Sequence, residues 1–305
     1  MSRRHRFALL WLLMATAVLS VPSAMIADAV GLGNAGPFAV LHLGCGSGSH
    51  GQLKVNTGTV AAGDVGIGAG ATGATDPFGF AKFQKGSIDG SLLVDVNATS
   101  SVVAKNFTVS GGTSAADLRS AVDDAIAASA AAAALPGVAV GDVTGGTLAA
   151  GVYNATSVDL NKTTFTVTGD PSQTFVLNVS GGFDVHQSEI VLEGGINASN
   201  VLFNVVGTGD VVTVGHSATV FLGDLLAVDR SIVVSELGVD SAPGAGPGNP
   251  GFLGRIIGGQ CTDLIVHSGA EVTRPEQGGV CIPSGEFCSS NGECCSGFCG
   301  EGLCQ

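Results

Sequence analysis

Short runs of β-branched and other apolar residues, each ended by Gly, Asp, Asn or Ser, fill residues 31–272 of the chain. Typical runs are TFTVT at 164–168, FVLNV at 175–179 and VLFNV at 201–205. Each run has the length of a strand, and the turn residues between the runs leave little room for long helices. Because hydrophobic residues make up 45% of the chain and charged residues only 12%, the strands have enough apolar material for an ordered all-β core.

Several segments share one format, in which an apolar strand leads through polar turn residues into a second apolar strand. They lie at residues 184–188, 213–217, 227–231 and 264–268. Recurrence of one strand-and-turn unit is typical of stacked coils. The unequal spacing predicts an irregular parallel β-helix, or β-solenoid, whose coils differ in length. A two-sheet sandwich is the alternative.

One segment predicts an α-helix packed beside the strands. Ser114 and Asp117 have the spacing of a capping box, an alanine tract continues the segment, and Pro136 ends it. The apolar residues that would face the strands are Leu118, Val122, Ala125 and Ile126. The predicted fold class is therefore mainly β with one helix alongside.

Residues 1–29 have the layout of a secretory signal peptide. Arg3, Arg4 and Arg6 precede an apolar run that ends near Leu19, and small residues at 27–29 form a cleavage site. An uncleaved anchor is the alternative, although the run is short for a membrane span. We therefore expect a secreted or cell-surface protein with no membrane span after signal cleavage.

The acidic charge of the chain argues against two classes of partner. The chain has 12 basic and 25 acidic residues, and removal of residues 1–29 takes away three Arg and one Asp, which leaves a net charge of −15. A surface with this charge repels nucleic acid and anionic membranes.

The sequence also contains no nucleophile elbow, His-Glu-x-x-His motif or phosphate loop. We therefore expect neither enzyme activity nor a cofactor.

Six cysteines near the C-terminus define a separate module. They are Cys281, Cys288, Cys294, Cys295, Cys299 and Cys304. A segment this short cannot form a hydrophobic core, so we expect disulfides, and an oxidising compartment, to hold it together. Their spacing alone allows about fifteen pairings. The predicted domains are a signal peptide at 1–29, a β-solenoid at 30–274, a linker at 275–280 and a cysteine-rich module at 281–305.

The body of the chain resembles the ice-binding-like β-solenoid family, an exported, antifreeze-type domain. The resemblance lies in the order of short motifs: LGNAGPFAVL at 32–41, GDVGI at 63–67, GGTLAAGVY at 145–153, NVLFNVVG at 200–207, TVFLGDLLA at 219–227 and GRIIG at 254–258. Asn204 stands where the family usually has Trp. The resemblance implies a β-helix of triangular section with one helix packed along it, no catalytic machinery, and ice as a ligand.

The cysteine-rich module resembles an inhibitor cystine knot of the cone-snail toxin type. That resemblance implies disulfides between Cys281 and Cys295, Cys288 and Cys299, and Cys294 and Cys304. Because the module has three Glu and no Lys or Arg, we interpret it as a stable cap or tether rather than a toxin.

Two cysteines, Cys45 and Cys261, lie outside the module, and two leftover cysteines in an exported chain tend to pair. The family resemblance implies that the first coil lies beside the last, where a disulfide would join them. Two unpaired buried thiols are the alternative, because a disulfide requires Cα atoms within about 7 Å of each other.

A candidate ligand surface begins with Thr164, Thr166 and Thr168. They alternate with apolar residues, so their hydroxyl groups share one face of a strand. We expect flanking strands to add Asn106, Thr108, Ser110, Thr174, Asn178 and Ser180. A rigid array of methyl and hydroxyl groups can order water without first being ordered itself, which favours ice as the ligand. An ordinary solvated β face has the same composition.

Two other groups of residues suggest different chemistry. A stacked metal site is suggested by turn histidines, although their unequal intervals favour solvated turns: His186, His216 and His267. Acid and base groups of a polysaccharide-cleaving β-helix are suggested by a second set, although isolated carboxylates are common in β turns: Asp224, Asp229, Arg230 and Glu236. We predict no metal site.

The sequence therefore predicts a secreted, non-catalytic β-solenoid that binds ice or another extended extracellular surface. One alternative is a structural or adhesive cell-envelope protein that presents the cystine knot. Another is a polysaccharide-active β-helix enzyme.

Overall fold

The computed structural model describes residues 30–45, 51–72, 80–98, 101–237, 251–275, 299–300 and 303–304. The predicted signal peptide and most of the linker and cysteine-rich module lie outside these residues, and so do the predicted disulfides of the knot. Within the described residues the chain forms a parallel β-solenoid with one α-helix. The predicted fold class is confirmed, and the sandwich alternative is wrong.

The chain first winds three coils, each with one strand on each of three faces. We call these the helix-covered face, the second face and the third face, in chain order. The strands are β1 (Phe38–His42), β2 (Leu53–Asn56), β3 (Thr59–Ala61), β4 (Asp64–Ile67), β5 (Phe80–Gln84), β6 (Ser87–Ile88), β7 (Leu92–Asp95), β8 (Ser101–Lys105) and β9 (Thr108–Val109). β10 (Thr113–Ala116) then returns to the helix-covered face, and the helix α1 (Arg119–Ala134) follows.

After α1 the chain winds a second stack of coils with the same three faces. Its strands are β11 (Val138–Val143), β12 (Gly146–Ala149), β13 (Gly151–Asn161), β14 (Thr164–Thr168), β15 (Phe175–Val179), β16 (Phe183–His186), β17 (Glu189–Glu193), β18 (Val201–Val205), β19 (Val212–Thr219), β20 (Phe221–Leu222), β21 (Asp224–Ala227), β22 (Ile232–Leu237), β23 (Phe252–Leu253), β24 (Ile256–Gly258), β25 (Leu264–Val266) and β26 (Glu271–Thr273). Near the C-terminus, β27 (Cys299–Gly300) and β28 (Leu303–Cys304) form an antiparallel pair.

The two stacks meet end to end, although they are separate along the chain. β1 pairs with β4 of its own stack and with β24 of the second stack, and β2 and β3 pair likewise with β25 and β26. All of these pairings are parallel. We call this junction the seam. It turns two short stacks into one continuous solenoid.

Alternating side chains fill the interior of the solenoid. In β2, Leu53 and Val55 are buried while Lys54 and Asn56 are partly exposed. In β15 all five residues are buried, because the interior lies on one side of this strand and the helix covers the other. Phenylalanine rings stack along the interior of the second stack with neighbouring centroids 4.6–6.5 Å apart: Phe165, Phe175, Phe183, Phe203, Phe221 and Phe252.

The helix α1 packs its small apolar side chains on the helix-covered face. Val122 and Ala125 are fully buried in a cluster that also holds Val176 of β15 and Leu226 of β21. The helix ends at Ala134, shortly before Pro136, the residue that was predicted to end it. Alanine suits this interface, because a short side chain lets the helix approach the sheet closely.

The predicted capping box is wrong. Ser114 lies in β10, and the side chain of Leu118 at the N-cap position cannot accept a hydrogen bond. Instead, Oδ2 of Asp95 on the neighbouring strand β7 accepts a hydrogen bond of 2.9 Å from the backbone N–H of Leu118. Asp117 contributes more weakly, through a 3.1 Å hydrogen bond from the N–H of Arg119. The start of the helix is therefore stabilised by a residue from another part of the chain.

A disulfide joins the two stacks at the seam. Cys45 and Cys261 are bonded, with their Cα atoms 4.5 Å apart and a sequence separation of 216. This is the predicted pair, and the alternative of two free thiols is wrong. In the chain-entropy model, a loop of this length raises the free energy of unfolding by about 5 kcal/mol.

A buried ion pair also lies at the seam. Nη1 of Arg255 donates to Oδ2 of Asp224 at 2.6 Å, and its Nε donates to the carbonyl oxygen of Gly36 in the first coil at 2.9 Å. Burial raises the pKa of Asp224 to about 6, although the Arg255 guanidinium opposes this change. At pH 7 the carboxylate is therefore ionised and balances the buried guanidinium.

We predict that Asp224→Asn lowers the free energy of unfolding by about 3–5 kcal/mol at pH 7, because it leaves a buried guanidinium without a counter-charge. Lys54→Met is the control, since it breaks the partly exposed Lys54–Asp263 pair of 3.0 Å and should cost no more than about 1 kcal/mol. Denaturant unfolding measures both values. Equal costs for the two variants would contradict the role of the buried pair.

His42 links the two sides of the seam through hydrogen bonds of a neutral imidazole ring. Its Nε2 lies 3.0 Å from the carbonyl oxygen of Thr262, and its Nδ1 accepts a 3.2 Å hydrogen bond from the N–H of Gly44. Only a neutral ring with the proton on Nε2 can make both contacts. Burial lowers the pKa of His42, and the hydrogen bond to Thr262 opposes this change.

We predict that His42 makes the protein less stable as the pH falls below about 6.5, because the unfolded chain then binds a proton that the folded ring excludes. Asp224 has the opposite effect on the pH dependence of stability, since its raised pKa lets the folded state bind a proton near pH 6. His42→Gln isolates the histidine: the loss of unfolding free energy between pH 7.5 and 5 should be smaller in this variant. An unchanged pH dependence would contradict the prediction.

Candidate binding surface

The three threonines of β14 share one surface, as predicted. Thr164 is exposed and Thr166 and Thr168 are half-buried, while Phe165 and Val167 between them point into the core. β14 lies on the third face, which the helix does not cover. Its hydroxyl and methyl groups therefore face outward.

The strands beside β14 are not the ones that were expected. β14 pairs with β12 on one side and β17 on the other. Thr108 lies on β9, at the far end of the third face, and Asn106 and Ser110 lie just before and after that strand. The hydroxyl of Ser110 is also engaged, since it donates to Asp89 at 2.9 Å. The order of strands in the sequence could not show that β9 and β14 are several coils apart, because the two stacks that contain them meet at the seam.

The expected contribution of β15 is also wrong. Thr174 and Ser180 flank this strand at the edges of the helix-covered face, and Asn178 lies under the helix with 6% of its surface exposed. Nδ2 of Asn178 donates to the carbonyl oxygen of Ala132 in α1 at 2.8 Å, and its Oδ1 accepts from Asn204 at 2.9 Å. Asn178 therefore holds the helix and cannot contact an external ligand.

Asn204 extends this hydrogen-bonded ladder along the helix. Its Oδ1 accepts from the hydroxyl of Ser129 at 2.7 Å, and its Nδ2 donates to the Ser129 carbonyl oxygen at 3.0 Å. Both side chains are buried. This function was not predicted from the sequence, although three equally placed Asn residues in GVYNA, FVLNV and VLFNV were a visible signal.

We predict that Asn178→Ala lowers the free energy of unfolding by about 1–3 kcal/mol, because buried partners on Ala132 and Asn204 lose their hydrogen bonds. Asn161→Ala is the matched control, since Asn161 is exposed and its loss should change stability by no more than about 0.5 kcal/mol. Thermal and denaturant unfolding of the two variants measure the difference. A similar effect of both substitutions would contradict the ladder's role.

One outward row of the third face carries no charge along the second stack. Strand pairing aligns Thr147, Thr166 and Val191, and a bridge between Glu189 and Val220 carries the register on to the next coils. Along the second stack the row, which we call the central row, comprises Thr147, Thr166, Val191, Leu222, Leu253 and Thr273. At the seam, β3 presents Ala61 in the same register. With strands about 4.8 Å apart, its six members span about 24 Å.

Carboxylates lie beside the central row rather than within it. Glu189 and Glu193 stand two residues before and after Val191, and Glu271 stands two residues before Thr273. All members of the row are at least partly exposed, and each strand is held by backbone hydrogen bonds to its neighbours. The row is therefore a rigid strip of methyl and hydroxyl groups.

The second face has a different character. Its equivalent outward row begins with Asp159 and Asp184, continues through Thr213 and uncharged residues, and then includes Lys54 and Lys82. Charged side chains bind water strongly and resist the removal of their hydration shells. The third face is therefore better suited to contact with an uncharged solid surface.

The turn histidines do not assemble into a metal site in the described part of the chain. The rings of His186 and His216 stack with centroids 4.4 Å apart, and Nε2 of His186 contacts Oδ1 of Asp184. His267 follows β25, two coils away from His216. Among the described residues, no group of three or more His, Cys, Asp or Glu side chains is placed to hold a metal ion.

The residues considered for polysaccharide cleavage have structural partners instead. Asp224 is paired with Arg255, as described above. Arg230 is buried and donates to the carbonyl oxygens of Gly207 at 2.6 Å and Asp210 at 3.2 Å, so it holds a turn. Asp229 lies in an exposed turn, and Glu236 is an exposed residue of β22. These four residues do not converge on a common cleft.

The match to a known family agrees with this architecture. The model of the Ice-binding-like family matches residues 49–239. The chain therefore belongs to the ice-binding-like family. No curated protein matches the chain.

None of the described helices is both long and apolar enough to cross a bilayer.

Solved structures of ice-binding proteins have the same fold. An ice-binding protein from an Antarctic biological consortium matches with a TM-score of 0.53 and 22% identity, over 81% of this chain and 91% of that one. The ice-binding protein 1 domain of Shewanella frigidimarina matches with a TM-score of 0.52 and 20% identity, over 81% and 98% of the two chains. At this level of identity the likeness establishes the fold.

Proposed function

We propose that this protein binds ice through the central row of the third face. The observation that carries the proposal is the uncharged strip from Thr147 to Thr273, which crosses six coils without a carboxylate or ammonium group. Membership of the ice-binding-like family and the fold shared with solved ice-binding proteins support ice as the ligand.

The rigidity of the strip favours this function. Every strand that contributes to the row lies in a ladder of parallel strands, and the Phe stack fills the interior behind it. A surface that is already ordered loses little conformational entropy when it meets a solid. Methyl groups of Thr, Val and Leu can leave water at little cost, while the Thr hydroxyl groups can hydrogen-bond to the lattice.

Secretion forms part of the proposal. The leader at residues 1–29 has the features of a signal peptide. The Cys45–Cys261 disulfide supports export, because such bonds persist in oxidising compartments. An exported protein of this kind meets ice, or another extended surface, outside the cell.

We predict that Thr166→Tyr removes most of the thermal hysteresis and the inhibition of ice recrystallisation, because a large ring in the centre of the row holds the strip away from the ice. Thr213→Tyr is the matched control: Thr213 has the equivalent outward position on the second face and should retain wild-type activity. Far-ultraviolet circular dichroism and unfolding midpoints establish that both variants are folded.

A second matched pair tests the role of charge. Val191→Lys places an ammonium group in the central row, whereas Val233→Lys places one in the equivalent row of the second face. The first variant should lose activity and the second should not. If both Thr213→Tyr and Val233→Lys lose activity while the third-face variants stay active, the second face is the binding surface. Inactivity of the wild-type protein in both assays would reject ice as the ligand and favour the structural or adhesive alternative.

A further inference from the structure

The strands at the two ends of the solenoid have a partner on one side only, as far as the described residues extend. At one end, which we call the β10 end, β8, β9 and β10 pair only with β5, β6 and β7. At the other, the β11 end, β11 and β12 pair only with β13 and β14. Each end therefore presents backbone N–H and C=O groups where a further coil would stack.

The apolar interior is also open at these ends. Val102 on β8 aligns with the buried Ala81 and points inward, yet 38% of its surface is exposed. Val138 on β11 is 63% exposed. Of the four large apolar residues that are exposed in the described parts of the chain, Val96, Val102 and Val138 belong to the end coils, and only Val211 lies elsewhere. Solenoid ends are normally covered by polar caps, so exposed apolar ends indicate an interaction surface.

The strands at the two ends contain few charged residues, and these are of opposite sign. Lys105 is the one charged residue in β8, β9 and β10, and Asp142 is the one charged residue in β11 and β12. The whole chain has a net charge of −13, so most contacts between two copies would oppose like charges. Contact between unlike ends avoids this repulsion.

The seam shows within one molecule that two stacks of this sequence can join in this way. There, β1, β2 and β3 of the first stack pair in parallel with β24, β25 and β26 of the second, and no short connection in the chain forces them together. The β10 and β11 ends have the same strand direction and face order. They are therefore suited to the same kind of junction between two molecules.

We propose that two copies of this protein associate head to tail, with the β10 end of one stacked on the β11 end of the next. The partner is a second copy, because it offers parallel strand edges and an opposite charge. Such a junction joins unlike surfaces, so it can repeat and form short linear oligomers. It would also extend all three faces of the solenoid from one molecule to the next.

Sedimentation velocity of the purified, disulfide-intact protein tests the proposal. The weight-average sedimentation coefficient of the wild type should rise with concentration. Val102→Glu blocks the β10 end and Val138→Glu blocks the β11 end, and each variant should remain monomeric at every concentration. Val211→Glu is the matched control, because it removes an exposed valine away from the ends and should associate like the wild type. Unfolding midpoints establish that the variants are folded.

Mixing the two blocked variants distinguishes a head-to-tail junction from a symmetric one. Each variant keeps one free end, and the two free ends are complementary. The mixture should therefore form dimers of twice the monomer mass and nothing larger. A wild type that stays monomeric at all concentrations would overturn the proposal, as would a mixture that fails to form dimers or a Val211→Glu variant that loses association.

Discussion

The fold depends on the parallel pairing of strands from opposite ends of the sequence. The first coil has a neighbour on both sides only because β24, β25 and β26 return to it. Pairing over such a distance costs chain entropy, and the side chains at the seam offset that cost. A disulfide, a buried ion pair and a neutral histidine all lie within the same junction. The disulfide and His42 join the first coil to the final coils directly, and Arg255 of the ion pair does so through its hydrogen bond to the carbonyl oxygen of Gly36.

The three faces differ because each has a different covering. The helix-covered face can bury every side chain of a strand, and the polar groups that it retains, such as Asn178 and Asn204, serve to hold the helix. The second and third faces bury only alternate side chains, so their outward residues are free to differ in chemistry. The second face has charged residues within its outward row, whereas the central row of the third face has none. The proposed specialisation of one face thus rests on outward residues that the core does not constrain.

Local patterns in the sequence predicted the strands, the helix and the alternation of Thr166 with its buried neighbours, because these depend on residues close together in the chain. The neighbours of β14 could not be predicted in the same way, since coil lengths are unequal and the register is set by pairing. The same reason explains the helix cap: Asp95 lies 23 residues before Leu118 and reaches it only through the pairing of β7 with β10. The Cys45–Cys261 pair was predictable because the family resemblance placed the first coil beside the last.

The chain between β10 and β11 has to run the whole length of the solenoid, since these two strands lie at its opposite ends. Nine steps between neighbouring strands of the helix-covered face correspond to about 43 Å. The 16 residues of α1 supply about 24 Å, and extended residues on either side supply the rest. The connection thus acts as a molecular ruler. Insertion of one more coil would require about three additional helical residues, so the number of coils and the length of the helix can only evolve together.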